Sequence, residues 1–167
     1  MADLFGEWIP YEWIKQVFDA CEKAPQHRYL FLTKNPNRYL EICEKRTYIE
    51  FQENFWFGTT ATMSYSPIFF SKKFNTFASV EPLMSEFDKD GSFQDVSWVI
   101  VGAETGNRKG KIIPTKQRIA NIVDSCRKYD IPVFLKNSLK DIWGEELIQE
   151  FPFERKKGVK NEICCNF

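Results

Sequence analysis

Apolar and polar positions follow two rhythms along this chain. Residues 10–24 put Trp13, Ile14, Val17, Phe18 and Cys21 on one side of a helix, with Pro10 near the start and Pro25 as the stop. "RYLFLT", 28–33, then reads as a strand. Asn35-Pro36 opens a helix over 36–45 that carries Tyr39, Leu40, Ile42 and Cys43 inward. "NFWFGTT", 54–60, is the next strand, followed by a weaker helical pattern over 64–73. "FASVEP", 77–82, is a strand broken by Pro82, and "VSWVIVGAE", 96–104, is an unbroken apolar run of the type buried on both faces. Thr115 caps a helix to about 129, with Ile119, Ile122, Val123 and Cys126 in register, and "IPVFLK", 131–136, is the fifth strand.

The order α-β-α-β-α-β-β-α-β with short links predicts an α/β fold: a mostly parallel five-stranded sheet with flanking helices and right-handed crossovers. Residues 1–140 form the domain. Residues 84–95 are a polar loop, and 141–167 a charged, irregular tail that packs on the domain or extends from it. A five-stranded sheet of this kind leaves two edges and some apolar surface, which the aromatics Phe55, Trp56, Phe57, Phe69, Phe70, Phe74 and Phe77 cover within the chain or against a second copy.

Composition narrows the partners. The 167 residues include 23 Lys plus Arg against 23 Asp plus Glu, so global charge gives no case for nucleic acid or a membrane. No apolar run reaches the roughly 20 residues of a membrane span, and the first residues lack the basic and apolar regions of a signal peptide, so the expected location is cytoplasmic. The five cysteines are odd in number and form no C-x-x-C, and His27 is the one histidine. Neither a disulfide framework nor a zinc site is expected. Cys21, Cys43 and Cys126 read as small core residues, and Cys164–Cys165 as an incidental tail pair.

In parallel α/β folds the working residues lie at the carboxyl ends of strands. Those ends are Thr33 and Lys34; Gly58, Thr59 and Thr60; Glu81; Gly102 and Glu104 to Gly106; and Lys136 and Asn137. Glu104, Glu81, Lys34 and Lys136 are the candidate catalytic groups. Thr33, Thr59, Thr60, Gly102, Gly106 and Asn137 are candidate substrate contacts. Glu81 and Glu104 suit shared acid/base work if burial separates their pKa values, or else salt bridges with Lys34 and Lys136. "GAETGNRKGK", 102–111, is no phosphate loop: it matches neither G-x-G-x-x-G nor the Walker pattern, and the next helix starts only near Thr115. Arg108, Lys109 and Lys111 read as a solvated loop, with phosphate or nucleic-acid contact as the alternative. His27 precedes a strand, at the rim opposite the candidate site.

The motifs "DLFGEWIPYEWIKQVFDACEKAPQHRYLFLTKNPNR", "NFWFGTT", "ASVEPL", "WVIVGAETG" and "IPVFLKN" come in the order and spacing of a known family. Over residues 2–140 the chain resembles the phage and prophage proteins labelled gp-thirty-seven/gp-sixty-eight, which are radical-SAM-like and uncharacterised in function. The resemblance implies a partial TIM-type barrel, the C-terminal portion of the family pattern. Family members begin with a three-cysteine segment that holds an iron–sulfur cluster, and none of the five cysteines here matches it. The resemblance therefore implies a chain not catalytically complete alone. S-adenosylmethionine and the cluster enter only if a separate N-terminal fragment supplies the cysteines. Gly102-Ala103-Glu104 stands where the family reads Gly-Gly-Glu, and Lys136-Asn137-Ser138 where it tends towards Lys-Gln-Trp. A non-catalytic binding or assembly module that dimerises through sheet edges is the competing expectation.

Overall fold

The computed structural model describes residues 3–45 and 52–154. Helix α1 (Tyr11–Glu22) leads to strand β1 (Tyr29–Thr33), helix α2 (Asn37–Lys45), then strands β2 (Phe55–Thr60), β3 (Asn75–Val80) and β4 (Val99–Val101). Helix α3 (Lys116–Lys128), strand β5 (Val133–Leu135), a 3-10 turn (Asn137–Leu139) and helix α4 (Lys140–Trp143) follow. All five strands run parallel, in the sequential order β1-β2-β3-β4-β5.

Register assigns two faces. On one, Phe31 pairs with Phe57 and Phe57 with Thr76, while Ala78, Val99 and Val133 continue the row. This face takes all three long helices. Ile14, Phe18 and Cys21 of α1 and Tyr39 and Ile42 of α2 pack with Phe5, Phe31, Phe55 and Phe57. Ile119, Ile122, Val123 and Cys126 of α3 pack with Val80, Val99, Val101 and Leu135. Thr115 accepts from the Arg118 amide at the start of α3, the cap that the sequence predicts. Burying these apolar stripes is what holds the helices down, because short helices are marginal by themselves.

The second face carries Leu30 and Leu32, Trp56, Phe77, Trp98, Ile100 and Phe134, and no helix among the described residues covers it. Its cover comes from the end of the described chain. Ile148 O accepts from Leu135 N at 2.7 Å and Glu150 N donates to Val133 O at 2.9 Å, so this segment runs antiparallel along β5. Phe151 and Phe153 then fold over Trp98, with ring centroids at 5.8 and 6.1 Å. Arg28, just before β1, sits 4.1 Å above the Phe153 ring. We call residues 147–153 the strap. Glu150 fastens it: its carboxylate accepts from Arg127 and from Val133 N, and its carbonyl accepts from the Trp98 indole.

The structure corrects several expectations. Residues 64–73 form turns and bends in place of a helix. Pro67 withholds a backbone donor there, and the Phe69 amide donates to Thr59 Oγ1. The run 96–104 is a regular strand only over Val99–Val101, although single backbone bonds to β3 extend from Ser97 N to Gly102 N, which donate to Thr76 O and Val80 O. Trp13 (59% exposed) and Leu40 (51%) point away from the core although each lies on its helix's apolar stripe. Only one side of each short helix meets the sheet, and that side is filled by Ile14, Phe18, Tyr39 and Ile42. One sheet edge, β5, is covered by the strap, so only β1 presents an open edge among the described residues. Cys21 and Cys126 are buried as predicted. Cys43, Cys164 and Cys165 fall outside the described side chains.

Candidate functional site

The carboxyl ends of β3, β4 and β5 are stitched together one residue beyond the strands. Gly102 N donates to Val80 O at 3.0 Å, Lys136 N to Val101 O at 2.9 Å and Leu83 N to Gly102 O at 3.0 Å. Alternation then aims Glu81, Gly102 and Lys136 at the strap-covered face. The Lys136 ammonium donates to Glu81 Oε2, although β4 lies between their strands. Gly102 makes this reach available. A Cβ at that position would stand 2.7 Å from Glu81 Oε1 and 2.9 Å from its Cδ. The missing side chain is the channel through which the carboxylate crosses β4.

The pair borders a cleft of about 350 Å³ lined by Glu81, Thr105, Phe134, Lys136, Asn137, Ser138 and Gln149. Ser138 Oγ accepts from Ala103 N at 3.1 Å and locks the turn after β5 to the end of β4. Gln149 comes from the strap; its amide donates to Leu135 O and to Asn137 Oδ1. The cleft thus combines one acid, one ammonium, two amides and two hydroxyls above an aromatic ring.

The other predicted residues are placed as follows. Glu104 turns to Arg108, which donates Nε at 2.5 Å and Nη2 at 2.8 Å. That bidentate hydrogen bond holds the Glu104 carboxyl below its ordinary range and raises the guanidinium. Lys34 is exposed at the end of β1, two strands from Glu81, and its backbone amide donates to Asp3 Oδ2. The buried Thr33 hydroxyl donates to the same Asp3 oxygen, and the Thr59 hydroxyl accepts from Phe69 N, so both stabilise loops. Thr60 is half-buried at the end of β2. Gly106 and Gly110 have φ of +88° and +71° in the exposed loop that carries Arg108, Lys109 and Lys111. Glu81, Gly102, Lys136 and Asn137 therefore meet; Lys34, Glu104 and the threonines stand elsewhere. Thr105 falls within the strand end read as Glu104 to Gly106; sequence reasoning missed Phe134, Ser138 and Gln149. Ser138 directly follows the predicted strand end, but nothing local signals Gln149.

The two described thiols, Cys21 and Cys126, do not come together as cluster ligands would. Cys21 lies in the core under α1 and Cys126 in the separate core under α3. Burial pushes the Cys126 thiol up to about 12, whereas iron ligation needs thiolate. Among the described residues no three His, Cys, Asp or Glu side chains gather. No described helix is long and apolar enough to cross a membrane.

Residues 1–161 match a family model described as "protein of unknown function (DUF5131)". No curated protein and no solved structure matches the chain.

Proposed function

We propose that this chain, which belongs to the DUF5131 family of proteins of unknown function, is one arc of a radical-SAM-like βα barrel of the phage and prophage type. In this reading it carries the substrate side of the site and is not catalytically complete alone. The single observation that carries the reading is the sheet itself: five parallel strands in sequential order with every long helix on one face. Doubly-wound sheets reverse their strand order and take helices on both faces, whereas a βα barrel does neither. The site lies where such a barrel works, at the carboxyl end of the strands. There Lys136 is the proton donor and Glu81 the acceptor, with Asn137 and Gly102 beside them as substrate contacts. Glu104, Lys34, Thr33, Thr59, Thr60 and Gly106 stay outside this pair's cleft: Glu104 is held by Arg108, and Thr33 and Thr59 are buried on the helix-covered face.

Because the thiols described here do not fit a cluster, iron and S-adenosylmethionine enter only through a cysteine-bearing fragment. Co-expression with such a fragment, followed by iron analysis and an assay of S-adenosylmethionine cleavage, tests the reading. Iron uptake and cleavage that fall in Glu81→Gln and Lys136→Met support it. A reconstituted complex with neither iron nor cleavage refutes it.

A second reading, a non-catalytic module that dimerises, is favoured by the open β1 edge. Sedimentation giving only monomer across micromolar concentrations would remove it.

A further inference from the structure

The two edges of the sheet are treated differently. The strap pairs with β5 and closes it. At β1, Tyr29 N donates to Asn54 O, which fixes the parity of the ladder. In a parallel pair alternate residues bond to one neighbour, so Tyr29, Phe31 and Thr33 face β2. The N–H and C=O groups of Leu30 and Leu32 face outward. Their side chains are also uncovered, at 48% and 39% exposure, on the face where Trp56, Phe77 and Trp98 are buried. Parallel strands are ordinarily covered on both faces, and an edge whose outward donors and acceptors meet no partner among the described residues, with two exposed leucines, is a template for another strand.

Charge selects the occupant. Arg28 and Lys34 flank the edge, and the nearby carboxylate of Asp3 is committed to the Phe5 amide, the Thr33 hydroxyl and the Lys34 amide. A two-fold pairing of β1 with β1 of a second copy, centred on Phe31, would set Leu30 against Leu32 but also Arg28 against Lys34 at both ends. Like charges directly opposite destabilise strand pairs.

We infer that the β1 edge docks an extended segment of a different polypeptide, with apolar residues at alternate positions and an acidic residue at each end. The inference rests on the arc reading above for the expectation that the sheet continues beyond β1. The segment hydrogen-bonds to Leu30 and Leu32 and covers their side chains, while its end carboxylates meet Arg28 and Lys34.

The test uses the full chain and a blocked seven-residue peptide, Glu-Thr-Val-Thr-Val-Thr-Glu, whose two glutamates and two valines share one face. Its control is the same peptide with lysine ends. Hydrogen exchange is read amide by amide, with sedimentation in parallel. The expected result is slow exchange at Phe31 and Thr33 throughout, and exchange at Leu30 and Leu32 that slows at least tenfold with the glutamate-ended peptide only. Leu30→Lys/Leu32→Lys, whose substitutions lie at exposed positions, should keep its melting temperature and lose the protection. Three results overturn the inference: no protection at millimolar peptide, equal protection by the lysine-ended peptide, or protected Leu30 and Leu32 amides in a peptide-free dimer. An absence of protection alongside cleavage activity in the reconstituted complex would overturn the docking edge alone and leave the arc reading standing.

Discussion

Replacing Gly102 by alanine separates the candidate site from the fold. The new Cβ would stand 2.7, 2.9 and 3.0 Å from Oε1, Cδ and Cγ of Glu81. Three successive atoms are too close, so the whole side chain must swing away and release Lys136. The energetic cost is small because Glu81 is long and half-buried. An ion pair at such an exposed rim contributes about 0.2–1 kcal/mol. An off-rotamer Glu81 costs about 0.5–1.5 kcal/mol. Alanine returns about 0.4–1 kcal/mol by restricting the unfolded chain. The net destabilisation is therefore below about 2 kcal/mol, and the protein folds. Urea unfolding of a double-mutant cycle, Glu81→Gln with Lys136→Met, measures the coupling in each background. It should be about 0.2–1 kcal/mol in the wild type and vanish with Gly102→Ala. An unchanged coupling in that background would refute the geometric role of Gly102.

Gly58→Ala makes the contrast: its Cβ would lie 2.0–2.4 Å from three ring atoms of Phe77, a side chain only 2% exposed. That ring cannot leave, so the expected loss is about 3 kcal/mol in urea unfolding, with partial recovery in Gly58→Ala/Phe77→Leu. Glu150→Ala strips the acceptor from the Val133 amide, and denaturation should show a loss of about 1–3 kcal/mol with faster exchange at Val133 and Leu135. The Glu104 carboxyl should titrate below the ordinary carboxylate range by carbon NMR and move up in Arg108→Ala. Its contribution to stability is present above the unfolded pKa and is lost as pH falls through the folded one. Cys126, raised from 9.0 to about 12, should resist iodoacetamide at pH 8 until the protein unfolds. Since the folded form keeps its proton, the stability that this thiol contributes is complete below pH 9 and declines between pH 9 and about 12.

The parts of the fold legible in the sequence are those where local pattern and burial agree. Phe55 to Thr60 and Val133 to Leu135 lie within the predicted strands, and Thr115 with Ile119, Ile122 and Cys126 announces α3 from its cap to its stripe. Where the two conflict, the pattern misleads. Residues 64–73 carry a weak helical pattern, yet Pro67 and the Thr59 hydroxyl hold the segment irregular. Trp13 and Leu40 show that a stripe says which side is apolar and not how much of it the sheet can cover. The strap was hidden because its pairing with β5 is non-local. Its signal, Phe151-Pro152-Phe153 within a charged stretch, gains meaning only once Trp98 is known to need a cover. Reading strand ends named Glu81, Gly102, Lys136 and Asn137, which the structure brings together. The sequence could not show that Glu104 has Arg108 four residues away in bonding geometry, nor that Glu81 would pass over Gly102 to a strand two places along.

Phe151 and Phe153 also act as a floor. Together with Trp56, Phe77 and Trp98 they fill the strap-covered face towards the amino ends of the strands. The cleft beside Lys136 is closed from below by these rings and opens above, where Thr105 and Asn137 border it. Bulk tolerated in a ligand is set by that mouth, and lengthening a compound downward meets aromatic rings instead of solvent.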